Sequence, residues 1–322
     1  MLSRETVASQ LSHTLSEIDI PNLGKKISGK VRDSYVVGAK RVLITSDRLS
    51  AFDKILTTIP FKGQLLNAMT AHWFEQTKDI IENHIIDVPH PNIFIARQVE
   101  IIPIEVVVRG YLTGSAWRDY QAGKAISGIT LPKGLKKSQR FDTPLLTPST
   151  KAEQGEHDMP ISEEAILQSD LVDPGLWEQV RDAALKLFAF GTKKAAERGL
   201  ILVDTKYEFG TSVNERGERF IVLADEIHTQ DSSRYWMSNT YQERFEAGED
   251  PHMLDKEFVR RHLMQKFDYM GDGEPPVLSD EFRIDTALRY IEACETITGT
   301  PFEGRPGDTA SEIREVLANY SF

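Results

Sequence analysis

Three charged residues alternate along one short stretch of this sequence. Asp204, Lys206 and Glu208 lie two positions apart in LILVDTKYEFG, which begins with four apolar residues and has the pattern of a β-strand. Residues at i, i+2 and i+4 of a strand point to the same face. The spacing therefore predicts a carboxylate, an ammonium group and a second carboxylate in one row, while the residues between them face a core.

A second strand is expected to bring another carboxylate to this row. The polar segment NERGE, at 214–218, predicts a hairpin turn in which Gly217 adopts a positive φ. The apolar stretch FIVL follows and leads to Asp225, so antiparallel pairing would place Asp225 near the row. Carboxylates at this spacing repel one another unless a cation lies between them, and Mg²⁺ commonly bridges carboxylates and phosphates. The row indicates a Mg²⁺ site; the alternative is a solvated hairpin with surface charges.

Two glycine-containing segments are candidates for binding anions. In the first, Lys30 and Arg32 alternate beside Gly29, and such a hairpin can close over a polyphosphate, although GKxR alone is usually a surface turn. In the second, RGYLTGS, Arg109 and Ser115 enclose two glycines at the end of a strand, as in an anion cradle. Both segments are interpreted as candidate phosphate contacts.

Composition narrows the class of protein. The 322 residues are 40% hydrophobic and 27% charged, typical of a globular protein large enough for two domains. A net charge of −11 argues against a nucleic-acid groove, although a local basic pocket could still bind a phosphorylated small molecule. No apolar run is long enough to span a membrane, and no signal-peptide layout is present. Because Cys294 is the single cysteine, no internal disulfide is expected, and we predict a cytoplasmic protein with no membrane partner.

The pattern of apolar residues predicts both strands and helices. The strand-rich region 93–108 contains Pro103, which predicts a boundary between two lobes at 100–105. Loops are expected at 46–53 and over most of 123–150, where polar residues, glycine and proline dominate. Helices are predicted at the N-terminus and at 64–83, 116–122, 173–199, from 255, 279–299 and 308–320.

Six motifs follow one another along the chain: GKVRD, SDRLSAFD, VVVRGYLTGS, LLTPSTKAEQGEHD, LILVDTKYEFG and ADEIHTQDSSRYW. In this order they resemble the phosphoribosylaminoimidazole-succinocarboxamide synthase (SAICAR synthase) family, and the resemblance covers nearly the whole chain. Six ordered motifs are far more specific than any one of them. The length, with extra C-terminal helices, resembles the longer fungal-type form of the family.

The resemblance implies an ATP-dependent ligase of purine biosynthesis. Such an enzyme joins L-aspartate to the carboxylate of carboxyaminoimidazole ribonucleotide and forms SAICAR, ADP and phosphate, with ATP and Mg²⁺ as cofactors. The implied fold is α/β (α+β), with an ATP-binding lobe at 1–104 and a substrate- and metal-binding lobe at 105–322. ATP would bind between the lobes, as in related kinases and ATP-grasp ligases. The expected partners are small-molecule substrates, and the chain is expected to be a monomer.

The resemblance also implies roles at the nucleotide site. Lys30 and Arg32 would contact the phosphates of ATP, and the backbone from Arg97 to Val99 would hold adenine. Asp53 would lie at the same site.

Further roles follow for the metal and the ribonucleotide. Glu208 and Asp225 would bind the metal beside the nucleotide. Three catalytic residues are implied, with the first two beside the reacting carboxylate: Asp204, Lys206 and Lys151. Arg109, Ser115 and Arg234 are implied to clamp the phosphate of the ribonucleotide. Asp158 is implied to contact the substrate from the mobile loop that also contains Lys151.

The chemistry of the reaction agrees with these residue types. A carboxylate is a poor electrophile and needs activation, for which an acyl phosphate is the simplest form. Phosphoryl transfer depends on positioning and charge neutralisation more than on a nucleophilic side chain. His157 and His228 have no second histidine at ligand spacing, so we interpret them as hydrogen-bonding residues and not as zinc ligands.

Two alternatives remain open at the level of the sequence. The first is an ATP-dependent kinase or another carboxylate–amine ligase, although the RGYLTGS segment and Arg234 favour a phosphorylated acceptor. The second is a nucleotide-binding module without catalysis, for which Lys206 between two carboxylates would not be required. For Arg234 itself, the alternative is a surface ion pair with Asp231.

Overall fold

The protein is described by a computed structural model that covers residues 2–52, 54–151, 158–254 and 257–322. The fold is mixed α/β and is built on two larger antiparallel sheets, which confirms the predicted class. Among the residues covered, no helix is both long and apolar enough to span a membrane.

The N-terminal part of the chain forms the first sheet. Its elements are, in order, α1 (Arg4–Ser9), a 3₁₀ helix (Gln10–His13), β1 (Lys26–Ser28), β2 (Arg32–Val37), β3 (Lys40–Thr45), β4 (Arg48–Ala51), β5 (Lys54–Thr58), α2 (Lys62–Thr77), β6 (Ile85–His90) and β7 (Ile93–Arg97). The strands pair in the order β1-β2-β3-β7-β6, and β4 pairs with β5 in a separate two-stranded sheet. The glycine-containing segment at 29–31 joins β1 to β2, as predicted.

The second sheet and the remaining helices follow. They are β8 (Glu100–Tyr111), α3 (Gly114–Gln121), β9 (Arg140–Leu146), β10 (Ser149–Thr150), β11 (Met159–Pro160), α4 (Glu163–Leu167), α5 (Pro174–Ala196), β12 (Leu200–Val213), β13 (Arg219–Ala224), β14 (Ser233–Met237), α6 (Ser238–Ala247), α7 (Glu257–Phe267), α8 (Asp280–Thr298) and α9 (Thr309–Ala318). The strand order is β11-β10-β8-β12-β13, with β9 beside β8 and β14 beside β12. Strand β12 therefore lies between β8 on one side and both β13 and β14 on the other.

Strand β12 has the alternation that its sequence predicts. Tyr207 and Phe209 are fully buried in the main core, whereas the charged residues between and before them point to the other face. The turn to β13 forms as expected, with Gly217 at a φ of 80°. Asn214 Oδ1 closes this turn by accepting hydrogen bonds from the backbone N–H groups of Arg216 at 2.9 Å and Glu218 at 3.0 Å.

The chain passes from the first sheet to the second between Arg97 and Glu100. Pro103 lies inside β8, where the register against β12 shifts between Glu208 and Gly210. Because proline has no N–H to donate to a neighbouring strand, it is tolerated at such an irregularity. The change of sheet thus falls just before the predicted lobe boundary, and the division into lobes at 104 and 105 stays a prediction.

Several predicted elements differ from the observed ones. The segment 46–53 contains β4 and is not only a loop, because Leu49 and Ala51 are buried against the main core. Strand β9 likewise occupies part of the expected loop at 123–150, since it pairs with β8. Helix α2 ends at Thr77, earlier than predicted, because the N–H groups of Ile80 and Ile81 both donate to the Thr77 carbonyl and turn the chain. The N-terminal helix is limited to α1 and the 3₁₀ turn.

Helices with clear capping signals are confirmed. Helix α5 starts at Pro174, and Asp173 caps it by accepting the Gly175 N–H at 2.8 Å. Helix α8 has Ser279 as its N-cap and Gly299, at a φ of 70°, as its C-cap. These local signals suffice because they act within one turn of the helix end.

The C-terminal helix closes the core of the first sheet. Ile313 and Leu317 of α9 are buried in one cluster with Tyr35, Ile44 and Ile93 of the sheet. The N-terminal sheet therefore uses apolar residues from both ends of the chain.

Candidate active site

Asp204 lies between two arginines that the register of the second sheet places opposite it. Strand β12 pairs with β8 at Arg109 and with β14 at Arg234. Asp204 Oδ2 accepts a hydrogen bond from Arg109 Nη1 at 3.1 Å and another from Arg234 Nη1 at 2.5 Å. The Asp204 side chain is only 6% exposed. We call these three residues the arginine group; charge-assisted bonds of this kind fix the direction of both guanidinium planes.

Arg109 has two further contacts that orient it. Its Nε donates to Thr147 Oγ1 at 2.9 Å, and its Nη2 donates to Ser115 Oγ at 3.2 Å. Gly114 has a φ of 60°, and a Cβ at this position would lie 2.7 Å from Arg234 Nη2. Glycine therefore lets the loop approach the guanidinium of Arg234. The structure brings together the predicted clamp residues Arg109, Ser115 and Arg234.

Asp231 is held inside the protein and is not part of a surface pair. Its Oδ2 accepts from Lys62 Nζ at 2.8 Å and its Oδ1 from Tyr290 Oη at 2.9 Å. Its side chain is 6% exposed, and that of Lys62 is fully buried. Asp231 therefore lies inside the protein and not at the surface position considered from the sequence, and it anchors the segment after β13 to helices α2 and α8.

A second charged group lies two to four residues further along β12. Lys206 Nζ donates to Glu105 Oε1 at 2.6 Å and to Glu208 Oε1 at 3.2 Å, while Lys151 Nζ donates to Glu208 Oε2. We call Lys206, Glu208, Glu105 and Lys151 the lysine group. Lys206 and Glu208 thus lie side by side on one face, as the alternation predicts.

The lysine group keeps its charges in spite of burial. Burial acts to raise the pKa of Glu208, but the charges of Lys206 and Lys151 outweigh it and lower the pKa to about 2. For Lys206, burial acts to lower the pKa, and the charges of Glu208 and Glu105 raise it above its usual value. Burial raises the pKa of Glu105, against the opposing effect of Lys206. Glu208 therefore remains a carboxylate and Lys206 an ammonium group at neutral pH.

Arg32 connects the first sheet to the acidic segment after β13. Its Nη1 donates to Asp225, and its Nη2 donates to Glu226 Oε2 at 3.0 Å. Burial acts to lower the pKa of Arg32, but Asp225 and Glu226 raise it. Asp225 has a φ of 59°, a left-handed conformation that is uncommon outside glycine. This turn at the end of β13 lets two successive carboxylates contact the same guanidinium.

The predicted metal ligands are two carboxylates at neighbouring strand positions, Glu208 on β12 and Asp225 after β13. Glu208 and Asp225 offer carboxylate oxygens, and both carboxylates act on Lys206 by raising its pKa. Within the described ranges, no three His, Cys, Asp or Glu side chains are grouped so as to hold a metal ion by themselves. Mg²⁺ is commonly held by one or two carboxylates together with substrate phosphates and water. The two carboxylates fit an ion bound together with a nucleotide.

The residues predicted to contact the nucleotide lie along the first sheet and its exit. The Lys30 carbonyl accepts a hydrogen bond from Arg48 Nε at 3.0 Å, which ties the β1–β2 hairpin to β4. Arg97 Nη2 donates to Glu82 at 2.6 Å. Val99 is buried in a small cluster with residues of β13. The backbone from Arg97 to Val99 thus lies where the chain changes sheets, as predicted.

The predicted loop residues are only partly described. Lys151 contacts Glu208, and Asp158 lies near enough to Glu105 for its charge to raise the pKa of that carboxyl group. Asp53 lies outside the described residues, and so does the segment 152–157, which includes His157. The two described ends of this loop therefore both approach the lysine group.

Four charged residues of the site region were missed by sequence reasoning: Glu105, Glu226, Lys62 and Asp231 as a buried anchor. Glu105 had a signal, because it precedes Arg109 by four positions on one strand and so shares its face. Glu226 directly follows Asp225 in the sequence. The Lys62–Asp231 pair joins residues far apart in the chain, and no local pattern could have indicated it.

His228 has the hydrogen-bonding environment that the sequence suggested. Its Nε2 lies 2.7 Å from Tyr207 Oη, and the ring packs edge-on against Trp73. Burial lowers the pKa of His228 to about 3, so the ring is neutral at physiological pH. A neutral, enclosed ring agrees with a structural role.

The site as a whole defines a class of protein. Matched cations and carboxylates at the junction of two sheets, beside a glycine loop with two arginines, are typical of enzymes that position and neutralise phosphates. The family is identified by comparison: a family model described as SAICAR synthetase matches residues 25–276, and the chain belongs to that family.

Individual relatives agree with this assignment. A phosphoribosylaminoimidazole-succinocarboxamide synthase of Legionella pneumophila (strain Paris) is 46% identical over 306 residues, covering 93% of this chain and 96% of that protein. One from Bacteroides thetaiotaomicron is 45% identical over 312 residues, covering 95% and 98%. The solved structure described as SAICAR-synthase from Saccharomyces cerevisiae complexed SAICAR has 32% identity and a TM-score of 0.78, covering 90% of this chain and 100% of that one.

These findings confirm the resemblance drawn from the six motifs. The protein is an ATP-dependent, ADP-forming carbon–nitrogen ligase that joins L-aspartate to the carboxylate of carboxyaminoimidazole ribonucleotide and yields SAICAR in purine biosynthesis. The longer form predicted from the length is shared with bacterial relatives, since the Legionella and Bacteroides proteins are covered almost completely.

Proposed function

We propose that β12 divides the reaction between its two charged groups. The arginine group binds the 5′-phosphate of the ribonucleotide, and the lysine group holds the carboxylate that is activated and joined to aspartate. The observation that carries this division is the set of partners along β12. The register of the sheet places Arg109 and Arg234 opposite Asp204, whereas Glu208 accepts from Lys206, two positions before it, and from Lys151, which follows β10.

The arginine group suits a phosphate dianion. Arginine presents parallel N–H groups that match two phosphate oxygens, which lysine cannot do. Asp204 accepts hydrogen bonds from both guanidinium groups, so we propose that it positions Arg109 and Arg234 for the 5′-phosphate, while its place on β12 beside Lys206 keeps it near the reacting carboxylate. Ser115 Oγ, already bonded to Arg109, adds a hydroxyl to the same clamp.

The lysine group suits the transfer of a phosphoryl group to the carboxylate. In the proposed sequence, a carboxylate oxygen of the ribonucleotide attacks the γ-phosphorus of ATP, the bond to the β,γ-bridging oxygen breaks, and ADP leaves. The aspartate amine then forms a bond to the acyl carbon, the carbon–oxygen bond to phosphate breaks, and the amine proton passes to solvent. Lys206 and Lys151 neutralise the negative charge that develops on the transferring oxygens.

ATP is placed by the first sheet and by the chain that leaves it. Lys30 and Arg32 are proposed to contact the phosphates, with adenine at the backbone from Arg97 to Val99. Asp53 is proposed to lie at the same site. This arrangement is supported by Arg32, which reaches from β2 to the acidic segment after β13.

Mg²⁺ is proposed as the accompanying metal, held by Glu208 and Asp225. When bound there, it supplies positive charge that neutralises the phosphates. Asp158, at the far end of the loop that begins at Lys151, is proposed to contact the substrate. Because all of these residues come from one chain, we propose that the monomer is active, and we keep a cytoplasmic location as a prediction.

Isotope labelling tests the proposed activation step. With ¹⁸O in the carboxylate of the ribonucleotide, an acyl phosphate intermediate transfers one labelled oxygen to inorganic phosphate, which mass spectrometry detects. ADP should form only when the ribonucleotide is present, and the product should be the aspartyl adduct at that carboxylate. Unlabelled phosphate would contradict the activation step. ATP consumption without aspartate that yields a stable phosphorylated ribonucleotide would favour the kinase alternative.

A further inference from the structure

Glu105 is the one member of the lysine group without a part in the proposed reaction steps. It lies on β8, directly opposite Glu208 of β12 in the register of the sheet, and its side chain is 12% exposed. Like charges that face each other across two strands are destabilising unless a cation lies between them. Lys206 provides that cation, since its Nζ donates to the carboxylates of both strands. The role of Glu105 therefore follows from how Lys206 is shared.

Lys206 is shared unequally between its two acceptors. Its Nζ lies 2.6 Å from Glu105 Oε1 and 3.2 Å from Glu208 Oε1. Because a charge-assisted hydrogen bond weakens as the distance between donor and acceptor grows, the ammonium group is held mainly from β8 and less from its own strand. Glu105 is thus the principal partner of a lysine that we place beside the reacting carboxylate.

Both oxygens of Glu208 are bonded to lysines. Oε1 accepts from Lys206, and Oε2 accepts from Lys151. In the proposed function Glu208 is also a ligand of Mg²⁺, and an ammonium group and a divalent cation repel each other at one carboxylate. The contacts from the two lysines must therefore weaken when Glu208 binds the metal, and Lys206 then needs another acceptor to keep its position.

Glu105 can be that acceptor because the sheet fixes its own position. Strand β8 pairs with β12 on one side and with β10 on the other, and Glu105 lies opposite Glu208 and Ser149. Its backbone is therefore held from both sides, and its carboxylate stays within reach of Lys206 when Glu208 binds a metal. Lys151 differs, because among the described residues its Nζ has no acceptor other than Glu208, and its side chain is 39% exposed.

We propose that Glu105 is the positioning residue for Lys206 and holds its ammonium group beside the reacting carboxylate of the ribonucleotide while Glu208 binds Mg²⁺. Glu105 acts through Lys206 and not on the substrate itself. This role rests on the proposed functions of Lys206 and Glu208, and it divides the work between two carboxylates that face each other across the sheet. A carboxylate that only balanced the charge of the fold would affect stability and leave the turnover of the folded enzyme unchanged.

Turnover of Glu105→Gln in the full chain is the first test. The amide keeps the shape of the side chain and removes its charge, so Lys206 should stay on Glu208 and lose its position. We expect kcat to fall by roughly 10- to 100-fold and KM for the ribonucleotide to change by less than about threefold, because the arginine group is untouched. Glu105→Asp keeps the charge and should recover part of kcat.

The matched control is Glu100→Gln, at an exposed ion pair on the same strand, which should turn over like the wild type. A wild-type kcat in folded Glu105→Gln would overturn the positioning role.

Nucleotide binding without turnover tests whether Glu105 acts through Lys206. Calorimetry gives the dissociation constant of ADP with Mg²⁺ and with EDTA in its place, and the ratio of the two measures how far the metal strengthens binding. In Glu105→Gln this ratio should fall by roughly fivefold or more, because Lys206 competes with the metal for Glu208. In Lys206→Met the competing ammonium group is absent, so the addition of Glu105→Gln should leave the ratio unchanged. An equal fall in both backgrounds would show that the charge of Glu105 acts directly on the metal and would overturn the positioning role.

The function of Lys206 itself is tested by Lys206→Met. Wild-type turnover in this variant would overturn the proposed function of Lys206 and the positioning role of Glu105 together. An inactive Lys206→Met with an unimpaired Glu105→Gln would overturn only the role of Glu105. Urea unfolding shows which variants are folded. If Glu105→Gln is not, Glu105→Asp replaces it in both measurements, where a wild-type kcat and a wild-type ratio would overturn the positioning role.

Discussion

The two charged groups on β12 differ in how tightly they are held. In the arginine group, Asp204 is almost completely buried, and Arg109 is fixed by three separate acceptors. In the lysine group, Glu208 is also buried, but its partner Lys151 is 39% exposed and lies just after the end of β10. One strand therefore carries a fixed cluster and an adjustable cluster on the same face.

The difference corresponds to the two demands of a ligase site. A phosphate that is bound but does not react is best held by preoriented planar donors, which arginine provides. A carboxylate that gains and loses a phosphoryl group needs a positive charge that can move with the reacting oxygens. Lysine provides this, because it carries a compact charge on a flexible side chain. The proposed phosphate-binding group and the proposed reacting group are therefore only two positions apart on β12, at Asp204 and Lys206.

The largest effect on activity is expected when one negative charge is removed from the proposed metal ligands. Glu208→Gln and Asp225→Asn should each lower kcat by at least about 100-fold, because each removes one anionic ligand of Mg²⁺. Both substitutions keep the shape of the side chain. Steady-state rates at several Mg²⁺ concentrations measure the effect, and Glu100→Gln, at an exposed ion pair of β8, is the matched control. Wild-type rates at low Mg²⁺ in both variants would show that these acids are structural.

Stability should distinguish the fixed group from the adjustable one. Asp204→Asn leaves two guanidinium groups without their shared anion and should lower the free energy of unfolding by about 2–3 kcal/mol. Lys151→Met removes a partly exposed partner and should cost less than about 1 kcal/mol. Urea unfolding of both variants makes the comparison. If the two variants lose equal stability, the contrast between the groups is wrong.

Substrate selectivity should depend on the arginine group alone. Arg109→Lys loses a bidentate contact and should weaken use of the ribonucleotide by roughly 1–3 kcal/mol in kcat/KM, with little change in ATP affinity. Comparison of the ribonucleotide with its dephosphorylated nucleoside should show strong discrimination by the wild type and much less by the variant. Equal use of both compounds by the wild type would remove the reason to place a phosphate at this group.

The smallest effect is expected in the pH profile. Because Lys206 and Lys151 lower the pKa of Glu208 to about 2, the carboxylate is ionised at every pH well above that value. With a neutral residue in place of Lys151, one of the two charges that lower the pKa of Glu208 is lost, so this pKa rises and the loss of activity on acidification should begin at a higher pH. The acidic limb of kcat/KM in Lys151→Met measures this shift. Arg109→Lys serves as the control and should leave the limb in place; an unmoved limb in Lys151→Met would contradict the assignment.

Sequence reasoning succeeded where the determining interactions are local. The charges of β12 and the turn at Gly217 follow from a two-residue alternation and a five-residue segment, so both could be predicted. Strand β4 was wrongly predicted as a loop because its polar residues suggested exposure to solvent, whereas they form hydrogen bonds inside the protein. Arg48 Nη2, for example, donates to the buried Asp33 Oδ1 at 2.9 Å. The Lys62–Asp231 anchor depends on tertiary packing and could not be predicted from any window of sequence.

The packing of α9 on the first sheet has a consequence for the order in which the protein is made. On the ribosome, the strands of that sheet emerge early, whereas Ile313 and Leu317, which complete its core, emerge with the last helix. Until then, apolar faces around Tyr35 and Ile44 lack part of their cover. Partly covered sheets are prone to association, and domains usually fold as units during synthesis. The nascent N-terminal sheet is therefore expected to be prone to association until α9 has been made, even though its five strands are all present once Arg97 has emerged.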